Sequence, residues 1–433
     1  MRRTHSLFPL SFLALAACAS RLADDASEGA TRTVSSAVNS TITEVTSFGS
    51  NPGALKMFEY APATLKPKSP LVLVLHGCTE TAASSATTGW NDLADKLSFT
   101  VVYPQQETAN NPVRCFNWAG EYGDPANLER GKGENLSIKE MVDTAITAHG
   151  SDPARVFIVG FSAGGGTAAI MAATYPDVFA GAATMAGLPF NCTTTYAEVN
   201  GCMKPGKTKT AADWAALVKA GDPGFAGPWP RMSIWQGSAD TTVAPTNRME
   251  LVKQWTGVHG IDAVAPVTDT VDGQSHAVYK NTAGKVLVET YEVAGMAHGV
   301  PVLPSASCGA TASYAFDKGI CAATHIASFF GLDGSAIADA GADAKKPGPG
   351  VSSSSSTGGP VEAGTPANGG GASSGNAGSS GGAAGPADTN GAGSTCSVAT
   401  PIGSTSSSSP LALLGLFLTF TVALARSRKA VIR

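Results

Sequence analysis

The chain has 433 residues, 43% of them hydrophobic and 14% charged, with a net charge of −4 and 50 glycines. That near-neutral balance, with no Lys/Arg cluster in the folded body, argues against a nucleic-acid partner. The glycines keep no three-residue period, which excludes a collagen-like rod.

Residues 1–18 read as an export signal. Arg2 and Arg3 open it, and residues 7–17 form a short apolar run that ends in small side chains. The run is well short of the roughly 20 residues that a bilayer core needs. Leu15-Ala16-Ala17-Cys18 resembles the lipobox of bacterial lipoproteins, which implies acylation of Cys18; the alternative is an ordinary signal peptide cleaved near Ala19. Residues 19–44 are then a linker.

The body, residues 45–332, alternates strands and helices. Residues 71–75 (LVLVL) are apolar throughout, as in a strand buried on both faces of a parallel sheet. Residues 99–103 (FTVVY) form a second such run, which Pro104 is expected to end, and residues 89–97 between them are helix-like. Residues 136–149 carry a helical stripe stopped by Gly150. A strand at 156–159 and a helix at 163–175 follow, and further strands are predicted at 180–185, 232–235 and 286–293. This alternation predicts an α/β fold with a mainly parallel, doubly wound sheet in one catalytic domain.

Gly160-Phe161-Ser162-Ala163-Gly164 follows the 156–159 strand and precedes a helical stretch, the strand–turn–helix context of a nucleophile elbow. A phosphate loop is the competing reading, and it fails for want of the Lys-Ser/Thr pair. A serine hydroxyl needs a base, and in this fold class acid and histidine follow the serine in that order. Asp240 fits the acid because it follows the 232–235 strand and the turn Gln236-Gly237-Ser238-Ala239; Asp222, Asp262, Asp269 and Asp272 follow no such strand. His298 fits the base, flanked by Gly295 and Gly299 just past the 286–293 strand. His276 reads as part of a polar turn and His325 as part of a terminal helix. An oxyanion hole needs backbone N–H groups, and the candidates are the amides of Ala163 and, in the loop after the first core strand, of Cys78. His76 reads as a loop-packing residue. Trp90, Trp118 and Trp235 either line an acyl pocket or pack the core.

Apart from Cys18 and Cys396, six cysteines remain, an even number that suits an exported, disulfide-bonded domain. The sequence-local pairs are Cys192–Cys202 and Cys308–Cys321, which leaves Cys78–Cys115. No Cys-x-x-Cys spacing supports zinc, and no metal or other cofactor is expected. Residues 333–409, rich in Ser, Ala, Gly and Pro, hold 18 of the 50 glycines and no aromatic residue. Such a segment cannot offset its ordering entropy and reads as a disordered tether. Residues 410–433 end the chain with an apolar run and Arg426, Arg428, Lys429 and Arg433. Fifteen apolar residues at about 1.5 Å each fall short of a hydrocarbon core of about 30 Å, so this is a marginal transmembrane helix. With Cys396 before it, the tail resembles the C-terminal sorting tails of myxobacterial surface proteins, which implies a processed helix; a plain membrane anchor is the alternative. Either way the body is expected to be extracellular or at the cell surface, anchored to the membrane through its termini, and monomeric.

Several blocks, in order over residues 45–332, carry a wider resemblance. Asn51-Pro52-Gly53, LVLVLHGCTETAAS, GWNDLADK, VVYPQQ, RCFNW, GFSAGGG, YPDVFAG, AGLPF, Trp235-Gln236-Gly237 and C…GIC…HIASFFGL closely resemble esterases of the polyhydroxybutyrate depolymerase family. The resemblance implies an exported α/β-hydrolase with a Ser-Asp-His triad, and Ser162, Asp240 and His298 fall on the matching positions. It implies an ester substrate, polyester first, with feruloyl or acetylxylan esters as the alternative because the family holds those esterases too. Polymer-degrading members usually continue past a linker into a substrate-binding domain, whereas here the linker leads to an apolar tail, which counts against efficient attack on solid polyester. A non-catalytic surface binding protein on the same fold is the reading from another class.

Overall fold

The computed structural model describes residues 38–120 and 125–335. The export signal with Cys18, the tether, Cys396 and the apolar tail lie outside the described residues. Among the described residues no helix is long and apolar enough to cross a membrane.

Ten strands form one sheet: β1 (Thr43–Val45), β2 (Lys56–Tyr60), β3 (Leu71–Leu75), β4 (Thr100–Gln105), β5 (Val156–Phe161), β6 (Gly181–Met185), β7 (Arg231–Gly237), β8 (Val267–Val271), β9 (Gln274–Lys280) and β10 (Val286–Val293). Their order across the sheet is β1-β2-β4-β3-β5-β6-β7-β10-β9-β8. The six from β4 to β10 run parallel, and antiparallel strands finish both edges. This is the α/β-hydrolase architecture that the sequence leads one to expect.

Side chains alternate across a strand, so one apolar run feeds two cores. Leu71, Leu73 and Leu75 of β3, with Val156 and Ile158 of β5, enter one core, whereas Val72, Val74, Phe157 and Val159 enter the other. Among the described residues eight helices accompany the strands: α1 (Ala82–Ala86), α2 (Trp90–Leu97), α3 (Gly133–His149), α4 (Ala163–Thr174), α5 (Val199–Met203), α6 (Ala211–Gly221), α7 (Thr246–His259) and α8 (Ala322–Phe329). The first core is closed by α3, α4, α6 and α7, the second by α1, α2 and α8. Gly150 stops α3 as expected, in the left-handed conformation at φ 63°.

Two local expectations need correction. β4 does not end at Pro104 but runs through it to Gln105. β3 pairs with β4 only up to Val102, so Pro104 borders β2 alone and its missing N–H breaks no ladder on the other side. His276 lies inside β9, paired to Tyr291 and Asp269, and not in a turn.

The six cysteines are joined as Cys78–Cys115, Cys192–Cys202 and Cys308–Cys321. Such bonds persist in oxidising compartments, so the fold suits an exported protein.

Candidate active site

The site is assembled at the carboxyl ends of parallel strands. β5 is buried along its whole length and delivers Ser162 at φ 56°, ψ −119°, a strained backbone for a residue with a side chain. The strain is held from both sides. The Ser162 N–H donates to Met185 O at 2.8 Å, and its carbonyl accepts from the Gly166 N–H at 3.0 Å. Glycine is required where α4 meets the sheet: a Cβ on Gly164 would lie 2.5 Å from His76 O and 2.7 Å from Leu75 O. The same contact brings the loop after β3 against the start of α4.

The structure brings together Ser162, His298 and Asp240. Ser162 Oγ lies 2.8 Å from His298 Nε2, and His298 Nδ1 lies 2.7 Å from Asp240 Oδ2. The carboxylate is an acceptor, so Nδ1 carries the proton and Nε2 presents its lone pair to the hydroxyl. Asp240 is fixed in turn. Its Oδ1 accepts from the Thr242 and Val243 amides at 2.8 and 2.9 Å, and its Oδ2 accepts from Gln236 Nε2 at 2.9 Å. Phe161 and Tyr314 enclose the imidazole, with ring centroids 4.9 and 6.3 Å away. An activated hydroxyl of this kind attacks acyl carbon.

Two amides next to this chain have no acceptor among the described residues. Ala163 opens α4, so its N–H has no partner within the helix. In the loop after β3, the amides of Gly77, Thr79 and Glu80 are all engaged, and that of Cys78 is not. These are the two amides that the sequence singles out.

Residues 56–271 match the family described as Esterase PHB depolymerase. The chain is 48% identical over 304 residues to the poly(3-hydroxyalkanoate) depolymerase C of Paucimonas lemoignei, covering 70% of this chain and 72% of that protein. The chain belongs to this esterase family. A probable acetylxylan esterase A of Aspergillus fumigatus is 35% identical, over 60% of this chain and 70% of its own length. Among solved structures, an acetyl xylan esterase from Aspergillus awamori is 27% identical with a TM-score of 0.58, covering 67% of this chain and 99% of that one.

The remaining candidates in this esterase have other partners. His276 bonds Asp269 at 2.7 Å and His325 bonds Asp272 at 2.8 Å, so both form carboxylate pairs, but only His298 also reaches a hydroxyl among the described residues. Asp222 lies beside Arg130, and Asp262 caps the Val264 amide. Trp90, Trp118 and Trp235 are core residues, each no more than 5% exposed. Trp235 stacks on Tyr291 and donates to Ser233 Oγ. Among the described residues no cluster of three or more His, Cys, Asp or Glu is arranged to hold a metal.

His76 packs the loop, as expected. The Gln106 N–H donates to its Nε2 at 3.0 Å, so Nδ1 carries the proton and donates to Gly77 O at 2.6 Å. Burial lowers its pKa from 6.5 to about 4. The depressed value gives stability that is present above pH 6.5 and lost as pH falls through about 4. The loss amounts to about 3 kcal/mol. Urea unfolding midpoints measured from pH 7 down to pH 4 should therefore fall, and the fall should be shallower in His76→Asn.

Proposed function

We propose that the chain is an exported serine esterase that uses Ser162, Asp240 and His298 as its catalytic triad. The observation that carries this reading is the unbroken hydrogen-bond chain from the Asp240 carboxylate through His298 to a strained, shielded Ser162. His298 Nε2 takes the Ser162 proton as Oγ attacks the ester carbonyl, and Asp240 stabilises the imidazolium. The Ala163 and Cys78 amides hold the developing oxyanion. The alcohol leaves with the proton from His298, and water activated by the same imidazole releases the acid. The sequence calls for neither metal nor organic cofactor.

The substrate we favour is a poly(3-hydroxyalkanoate), because the similarity to a depolymerase extends over 304 residues at 48% identity. The second reading, acetylated or feruloylated xylan, is supported by the acetylxylan esterase neighbours and by a feruloyl esterase B of Talaromyces stipitatus at 30% identity. We assign residues 45–332 to the catalytic domain, with linkers at 19–44 and 333–409 and surface anchoring through Cys18 or the apolar tail. The domain acts as a monomer.

Polyhydroxybutyrate granules, acetylxylan and feruloylated xylan offered side by side should give soluble hydroxybutyrate in preference to acetate or ferulate. Acetate or ferulate release with untouched granules would reverse the assignment. A folded protein inert toward these and toward p-nitrophenyl butyrate would leave only the binding-protein reading.

A further inference from the structure

We infer that Glu80, a residue outside the triad, is the positioning residue that aims the oxyanion loop. The inference rests on the esterase reading above and starts from two consecutive peptide units. In the unit joining His76 to Gly77, the N–H donates to Glu80 Oε2 at 2.9 Å. In the next unit, joining Gly77 to Cys78, the carbonyl accepts from His76 Nδ1 at 2.6 Å and from the Glu80 N–H at 3.3 Å. A trans peptide points its N–H opposite to its carbonyl. Holding the Gly77 oxygen therefore aims the Cys78 amide away from these groups, where it has no acceptor among the described residues.

Between these units stands a glycine, the residue with the most backbone freedom. Its position is confined on two sides: a Cβ there would lie 2.7 Å from Phe161 Cδ1 and 3.1 Å from Glu80 Oε2. The loop beyond is secured at Thr79, whose N–H donates to Val113 O at 2.6 Å and whose carbonyl accepts from Arg114 at 2.7 Å. Cys78 is tied to Cys115. These ties anchor the loop after Cys78, whereas the Gly77 N–H is held by the Glu80 side chain alone. Burial lifts the Glu80 carboxyl above its ordinary range, and the Gly77 bond opposes that rise, as expected of an acceptor enclosed by the loop it supports. Glu80 also borders a cavity of about 370 Å³ shared with Phe161, Tyr314 and Ser84. Truncating Glu80 therefore opens the Gly77 N–H to a cavity of mixed lining, with Thr79 and Ser84 among its polar groups, that has room for water, and the fold should tolerate the change.

Glu80→Ala should lower kcat for p-nitrophenyl butyrate about 30-fold and leave KM within about threefold, because an oxyanion donor acts on the transition state. A boronate transition-state analogue should lose affinity by a similar factor. Glu80→Gln keeps an acceptor for the Gly77 N–H and should stay within about threefold of wild type in kcat. Gly77→Ala, which displaces the same loop against Phe161, should reproduce the kcat loss. An active wild type with an equally active Glu80→Ala overturns the inference alone, as does a Glu80→Gln as impaired as Glu80→Ala at an unchanged melting temperature. A folded but inactive wild type overturns the esterase reading, and this inference with it.

Discussion

Replacing Ser162 by Ala should lower kcat for p-nitrophenyl butyrate by about 10⁶-fold, and replacing His298 as well should lower it no further. The non-additivity follows from the single hydrogen-bond chain: a base without its nucleophile, or the reverse, has nothing left to do. Asp240→Asn is the sharper test, with an expected loss of about 10⁴-fold. The Thr242 and Val243 amides both donate to Oδ1, so an asparagine must keep its oxygen there. Its NH2 then faces His298 Nδ1, which must accept. The ring proton moves to Nε2, pointing at Ser162 Oγ, and the base is lost without any change of shape. Gln236 Nε2, now opposed by a second donor, adds a modest loss of stability. Single-turnover rates of Ser162→Ala, His298→Ala, the double variant and Asp240→Asn check the set. Multiplying losses in the double variant, or less than a tenfold loss in Asp240→Asn, would remove these residues from a common triad.

The candidate site was readable in the sequence where local pattern and geometry coincide. Ser162, Asp240 and His298 each follow a strand with a strong apolar run and sit in or beside glycine-bearing turns, because parallel strands gather the loops that follow them at one end of the sheet. The helices α6 and α7 were not readable. Asn247, Glu250, Gln254 and Thr256 are buried on α7, where Glu250 accepts from Trp214 Nε1 and Gln254 bonds the Phe190 backbone in both directions. Polar groups on the buried face erase the period of a helix. The edge strands escaped for the opposite reason: in β8 (VTDTV) four of five residues are exposed, and no apolar run marks it. Glu80 and Glu134 had no local signature either. Their importance lies in the amides they hold, and those contacts are set by tertiary structure.

Truncating Glu134 should cost more stability than truncating Glu80 or replacing His76. Glu134 is 2% exposed, at the start of α3. Its Oε1 accepts from Gln106 Nε2 and Asn117 Nδ2, both at 2.5 Å, and its Oε2 accepts from the Asn117 N–H at 2.9 Å. Gln106 is the residue whose N–H holds His76, and Asn117 follows the segment carrying Cys115, the disulfide partner of Cys78. One carboxylate thus collects at least three buried donors from residues that support the loop after β3. Glu134→Ala leaves those donors unpaired and should cost about 3–5 kcal/mol. At about 2–4 °C per kcal/mol in a domain of this size, the melting temperature should fall by about 10 °C. Glutamine should not rescue it, because either orientation of the amide turns an N–H2 toward a donor. A Glu134→Gln variant as stable as wild type would mean that these contacts carry no weight. A variant destabilised in this way, assayed well below its melting point, should also lose part of its kcat if the proposed oxyanion loop is as assigned, because its Cys115 and His76 supports both rest on this carboxylate.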